Sequence, residues 1–183
     1  MIYGHSQLSQ FVKYPPKFST VSVKFFSVPG AKALDLIDSH FILEIEQFSP
    51  DLIFLFAGGN DLTFDCSVAV VYDSLKTLVT WTQNRFSPKY GVHLLEIEER
   101  IGDPRFVNPN QYKTIRNAIN KKIKAKRELN LLPLTKFGVV AELTSDRVHY
   151  KSAGLNLLLK AIKHHICAIL VSKGLRNIEV TNL

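Results

Sequence analysis

Cysteine is nearly absent: Cys66 and Cys167 are the only two in 183 residues, and they stand far apart. That spacing excludes a disulfide framework and any cysteine-based metal motif, and both thiols are expected to be buried or idle in a reducing compartment. Long apolar runs are missing as well. The longest candidate, DLIFLFAGG from Asp51, is strand-sized and ends on a turn signal, short of the roughly 20 residues that cross a bilayer. Met1 stands just ahead of Gly4 with no charged-then-apolar segment before it. The expectation is therefore an intracellular protein without a cleaved leader. No internal repeat and no low-complexity segment occurs.

What remains is the composition of an ordinary globular chain, 46% hydrophobic and 21% charged, long enough for one domain with a real core. We place that domain at residues 1–174, with 175–183 as a tail. The formal net charge of +7 suits a polyanionic neighbour, such as nucleic acid or an anionic membrane surface, without defining one.

Short apolar runs alternate with stretches of helical period, the pattern of a parallel sheet covered by helices on both faces. The runs are 1–3, 21–28, 51–57, 91–98 and 136–143. Residues 31–48 set Leu34, Ile37, Phe41, Ile45 and Phe48 on one helical face, and residues 66–86 do the same with Val70, Leu75, Leu78 and Val79. Residues 110–130 carry Ile115, Ile119 and Ile123. Residues 151–173 carry Leu155, Leu158, Leu159, Ile162 and Ile166, with Gly174 as the stop. Residues 100–109 read as an irregular loop.

An open α/β sheet binds its ligands at the carboxyl ends of its strands. There the chain carries Gly4-His5-Ser6 after the first run, Gly30 after the second, Gly58-Gly59-Asn60-Asp61 after the third, and Asp146-Arg147-Val148-His149 after the fifth. Singly, each is an ordinary turn or cap. Together they supply complementary chemistry. A serine hydroxyl needs a base to take its proton, and histidine suits that near neutral pH. The imidazole needs an acceptor to fix its tautomer, which an aspartate three residues earlier can be. An oxyanion needs preorganised donors, and the backbone N–H groups of Ser6 and Gly30 and the Asn60 amide are candidates.

These four blocks resemble those of the SGNH hydrolases, which include the GDSL esterases and lipases: GHS at 4–6, Gly30, GGND at 58–61 and DRVH at 146–149. The resemblance implies a three-layer α/β/α sandwich, flavodoxin-like, with a five-stranded parallel sheet. It implies ester hydrolysis by Ser6, His149 and Asp146, an oxyanion hole from Ser6, Gly30 and Asn60, and no metal or organic cofactor. A small ester substrate is expected from the scarcity of long insertions. The segment IYGHSQLSQF also resembles esterase domains of animal retrotransposon proteins. One position departs from the family pattern, because His5 stands where an aspartate is usual; we expect it to make a structural hydrogen bond instead. The Gly-x-Ser-x-Gly elbow of α/β-hydrolases is absent, since position 8 is Leu8.

Other features carry less. Lys121, Lys122, Lys124, Lys126 and Arg127 could contact nucleic acid or an anionic surface, but no aromatic residues interleave for stacking, and a solvated helix face is the expectation. His164 and His165 are expected at the surface, not on a metal. Asp61 reads as a structural partner of its block. Arg100 could hold a substrate anion, or pair with Glu98 or Glu99. With few long insertions, the site should be open and shallow. The rival to a hydrolase is a non-catalytic binding or assembly module of the same fold, which His5 and the basic helix favour. A nucleotide binder would want a glycine-rich phosphate loop, and GHSQLSQF is not one.

Overall fold

The computed structural model describes residues 1–18, 21–100, 109–138, 146 and 148–175. Five parallel strands form one sheet in the order β2-β1-β3-β4-β5: β1 (Ile2–Gly4), β2 (Phe25–Ser27), β3 (Ile53–Phe56), β4 (Val92–Leu95) and β5 (Leu131–Leu132). Successive side chains on a strand point to opposite faces, and each strand feeds two cores. Tyr3, Phe26, Ile53, Leu55, Val92 and Leu94 join α2 (Ile42–Phe48), α3 (Val68–Phe86) and α4 (Pro109–Lys126) on one side. Ile2, Phe25, Phe54, Phe56 and Leu95 meet α1 (Ser9–Lys13) and α5 (Ser152–Ser172) on the other. The result is the expected α/β/α sandwich.

Three elements differ from the sequence expectation. The segment 31–48 is not one helix: Leu34–Leu36 form a short 3-10 turn, and α2 starts only at Ile42. The Tyr3 hydroxyl donates to Leu36 O at 2.6 Å, drawing on a carbonyl that a continuous helix would use, and Ser39 Oγ accepts the Phe41 N–H. In α3, Val70 is exposed and Val71 is buried, because the buried progression runs 71, 75, 78 and 82. The fifth strand among the described residues is Leu131–Leu132, ahead of the expected run 136–143, whose first residues Lys136 and Phe137 lie in a 3-10 turn. The Glu96 carboxylate accepts the N–H groups of Leu134 and Thr135 and the Thr135 hydroxyl, so Thr135–Phe137 wind into a 3-10 turn. Residues 139–143, most of the irregular loop 100–109 and the tail beyond Leu175 lie outside the described residues.

Helix α5 is long and apolar enough to cross a membrane by length and composition, although Lys160, Lys163, His164 and His165 keep it from being a continuous apolar run. Half of its most apolar window is buried in the protein, with Leu158, Leu159, Ile162 and Ile166 in the core. It reads as the core helix of one face.

Strand β1 lies between β2 and β3, so the loop leaving it opens at the point where strand order reverses, the usual ligand crevice of such sheets. Gly4 ends the strand because no side chain fits: a Cβ there would lie 2.8 Å from the Phe56 carbonyl carbon and 2.9 Å from Phe56 Cβ.

Candidate active site

The turn after β1 is fixed from both sides. Val28 N donates to Gly4 O at 2.8 Å, His5 N to Phe56 O at 3.2 Å, and the Ser27 hydroxyl to His5 O at 3.1 Å. Ser6 opens a 3-10 turn, Ser6–Leu8, that runs into α1. Its side chain is half-buried.

His149 Nε2 lies 2.7 Å from Ser6 Oγ, and His149 Nδ1 lies 2.6 Å from Asp146 Oδ2. The other Asp146 oxygen accepts the backbone N–H groups of Val148 and His149, each at 3.0 Å. One carboxylate therefore shapes its own turn and orients the ring. With Nδ1–H donated to Asp146, Nε2 is left as the acceptor for the serine proton, the tautomer a general base needs. About half of the Asp146 side chain and two-fifths of that of His149 are exposed, at 52% and 41%. The site is an open surface feature.

Gln7 was not singled out by sequence reasoning. It is buried, its Nε2 donates to Val148 O at 2.6 Å, and its Oε1 accepts Tyr150 N at 3.1 Å. A single side chain thus clamps the residues on both sides of His149 to the turn that carries Ser6. The only cue in sequence is adjacency to Ser6, since a carboxamide both donates and accepts.

Gly30 takes a left-handed conformation (φ 77°) that favours glycine, and the following Ala31 O accepts Asn60 Nδ2 at 2.9 Å. The second and third blocks are thereby joined beside the Ser6 turn. Asp61 has the structural part expected of it: its carboxylate accepts Ala33 N at 3.0 and 3.2 Å. Burial pushes that carboxyl above its ordinary value, against the opposing pull of the Ala33 N–H.

The residue in place of the family's usual aspartate behaves otherwise than expected. His5 is fully buried, and neither ring nitrogen has a hydrogen-bond partner among the described residues. Its Nε2 instead faces Glu98 Oε2 at 3.5 Å, an electrostatic contact too long for a formed hydrogen bond of normal length. Glu98 and Arg100 are buried too, and Arg100 donates to Glu98 Oε1 through Nε at 3.0 Å and Nη2 at 2.8 Å. Arg100 is thus committed to the protein's own carboxylate. Burial alone would raise the Glu98 carboxyl, but His5 and Arg100 outweigh it and hold it well below the usual carboxylate range.

No family model and no curated protein sequence matches the chain. Its backbone does match solved structures. A lipase/acylhydrolase from Enterococcus faecalis superposes with TM-score 0.65 at 20% identity, over 91% of this chain and 95% of that one. A GDSL-like lipase from Bacteroides thetaiotaomicron gives 0.64 at 16% identity, over 91% and 86%. The chain has the SGNH-hydrolase fold. A carbohydrate esterase family 3 structure from Talaromyces cellulolyticus extends the match, with TM-score 0.63 at 13% identity over 94% and 97%. Within this fold Ser6, Asp146 and His149 converge, and Gly30 and Asn60 sit together beside them.

The remaining candidates lie elsewhere. His164 is exposed, but His165 is buried, contrary to expectation, and bonded to Pro133 O at 2.9 Å; burial lowers its basicity. It follows the apolar side of α5 between Ile162 and Ile166, and its polar atom has an internal acceptor. Among the described residues no cluster of His, Cys, Asp or Glu could hold a metal. Lys121, Lys124, Lys126 and Arg127 are exposed, while Lys122 lies over the Tyr72 ring.

Proposed function

We propose that the protein is a serine hydrolase that cleaves carboxylic esters through an acyl-enzyme on Ser6. The observation that carries this reading is the relay Ser6 Oγ–His149 Nε2–Asp146 Oδ2, at 2.7 and 2.6 Å, built from residues 143 positions apart. Ser6 Oγ attacks the ester carbonyl while His149 Nε2 takes its proton, and Asp146 stabilises the imidazolium that forms. The oxyanion is received by the Ser6 and Gly30 N–H groups and by Asn60. The intermediate collapses as His149 protonates the leaving alkoxide. Water then attacks the acyl carbon as His149 takes its proton, and the second intermediate collapses as His149 returns that proton to Ser6 Oγ, releasing the carboxylic acid.

The structural neighbours named as lipase, acylhydrolase and carbohydrate esterase share ester cleavage, which supports the reaction class. The exposure of His149 and Asp146 favours small or surface-presented acyl groups over a deeply buried chain. Turnover of p-nitrophenyl acetate together with fluorophosphonate labelling tests the reading. Labelling is expected in the wild type and lost in Ser6→Ala. Absence of both labelling and turnover in the folded wild type would leave the non-catalytic binding module as the account of this fold.

A further inference from the structure

Beneath the donor corner of the site lies a buried ion pair that the proposed reaction does not use directly. Arg100 is held by two bonds to Glu98 Oε1, and its guanidinium lies 5.6 Å from the centre of the Tyr112 ring. The Tyr112 hydroxyl donates to Glu98 O at 3.1 Å, which fixes the backbone of the same pair. His5 closes the arrangement from the β1 side. From this frame Arg100 Nη2 donates to Asn60 Oδ1 at 3.1 Å.

A carboxamide's oxygen and nitrogen are nearly alike in shape, so neighbours decide which way it points. Arg100 can only donate and the Ala31 carbonyl can only accept. Between them, the oxygen of Asn60 must face Arg100 and the nitrogen must face the Gly30–Ala31 side. A buried ion pair is a poor source of stability compared with apolar side chains of the same volume. What this one delivers is a guanidinium in a fixed place, with Asn60 as its recipient. The geometry points to Arg100, braced by Glu98, as the positioning residue that aims the Asn60 amide for the oxyanion.

This rests on the hydrolase reading above, and its test has an arm that does not. Arg100→Lys keeps the charge beside Glu98 but cannot reproduce the fork that serves two partners. Removing one oxyanion donor costs roughly 100- to 1,000-fold in kcat, and Asn60→Ala is expected in that range. Arg100→Lys should lower kcat by about 10- to 100-fold with KM little changed. The double variant should be no slower than Asn60→Ala alone, because Arg100 acts through Asn60. Gly59→Ala gives a second route without removing a charge, since its Cβ would lie 2.6 Å from both Arg100 Nη2 and Glu98 Oε1. Its loss should likewise vanish in the Asn60→Ala background. Multiplying losses, in whichever variant folds, would overturn the assignment.

The arm independent of turnover is the NMR signal of the Asn60 side-chain amide in the wild type and in Arg100→Lys. Shifted resonances with faster solvent exchange are expected, and unchanged ones would overturn the proposal. A wild type without labelling or turnover would sink the hydrolase reading, while this measurement would still decide what Arg100 does.

Discussion

At the residue scale the site divides its work among groups of different exposure. Ser6 and His149 meet at the surface, and Asp146 accepts three N–H groups, two from its own turn and one from the ring. Asp146→Asn keeps the shape of that turn but can present a donor to Nδ1, which favours the wrong imidazole tautomer. We expect kcat to fall by roughly 10²–10⁴ with KM little changed, measured on p-nitrophenyl acetate. Equal activity of Asp146→Asn and wild type would mean that the ring does not depend on this carboxylate. Ser6, Gly30 and Asn60 were legible in the sequence because each follows an apolar run at a strand end, and the Asp146–His149 pair because its spacing sets an acceptor three residues before a base. Gln7 and the Glu98–Arg100 pair were not, because what marks them is burial and partners brought from distant positions.

At the scale of elements, the site depends on how the turn after β1 is tied to the segment carrying His149. Gln7 makes that tie with two bonds, and Gln7→Ala leaves Val148 O and Tyr150 N without it. The expected destabilisation is about 1–3 kcal/mol, read by urea denaturation. A drop in kcat/KM should accompany it, since His149 loses its anchor to Ser6. Unchanged kcat/KM in a destabilised Gln7→Ala protein would make the clamp purely structural. The long helices α3, α4 and α5 were readable from periodicity, which many residues reinforce. The short elements were not. The 31–48 segment breaks where Tyr3 takes the Leu36 carbonyl, and Thr135–Phe137 turn where Glu96 accepts the Leu134 and Thr135 N–H groups. Both are tertiary contacts that override a local pattern.

For the molecule as a whole, the notable electrostatic feature is a carboxylate buried at the carboxyl ends of the strands. Glu98 is held well below its ordinary range by His5 and Arg100 in spite of burial. A carboxyl depressed in the native state adds stability above its unfolded value, near 4.5, and that contribution is lost as the pH falls below it. Glu98→Gln should therefore be less stable than wild type at neutral pH, and the gap should narrow progressively below about pH 4.5. Chemical denaturation from pH 7 to pH 3 measures this. A gap independent of pH would mean that the charge on Glu98 contributes nothing to folding.

The central claim is that Ser6 carries the acyl group, and mass spectrometry of the protein quenched in acid during turnover of p-nitrophenyl acetate tests it most directly. The account predicts one acetyl group on the peptide containing Ser6 in the wild type and none in Ser6→Ala, which should also lose turnover. An acetyl group located elsewhere, or ester cleavage that persists undiminished in Ser6→Ala, would contradict it.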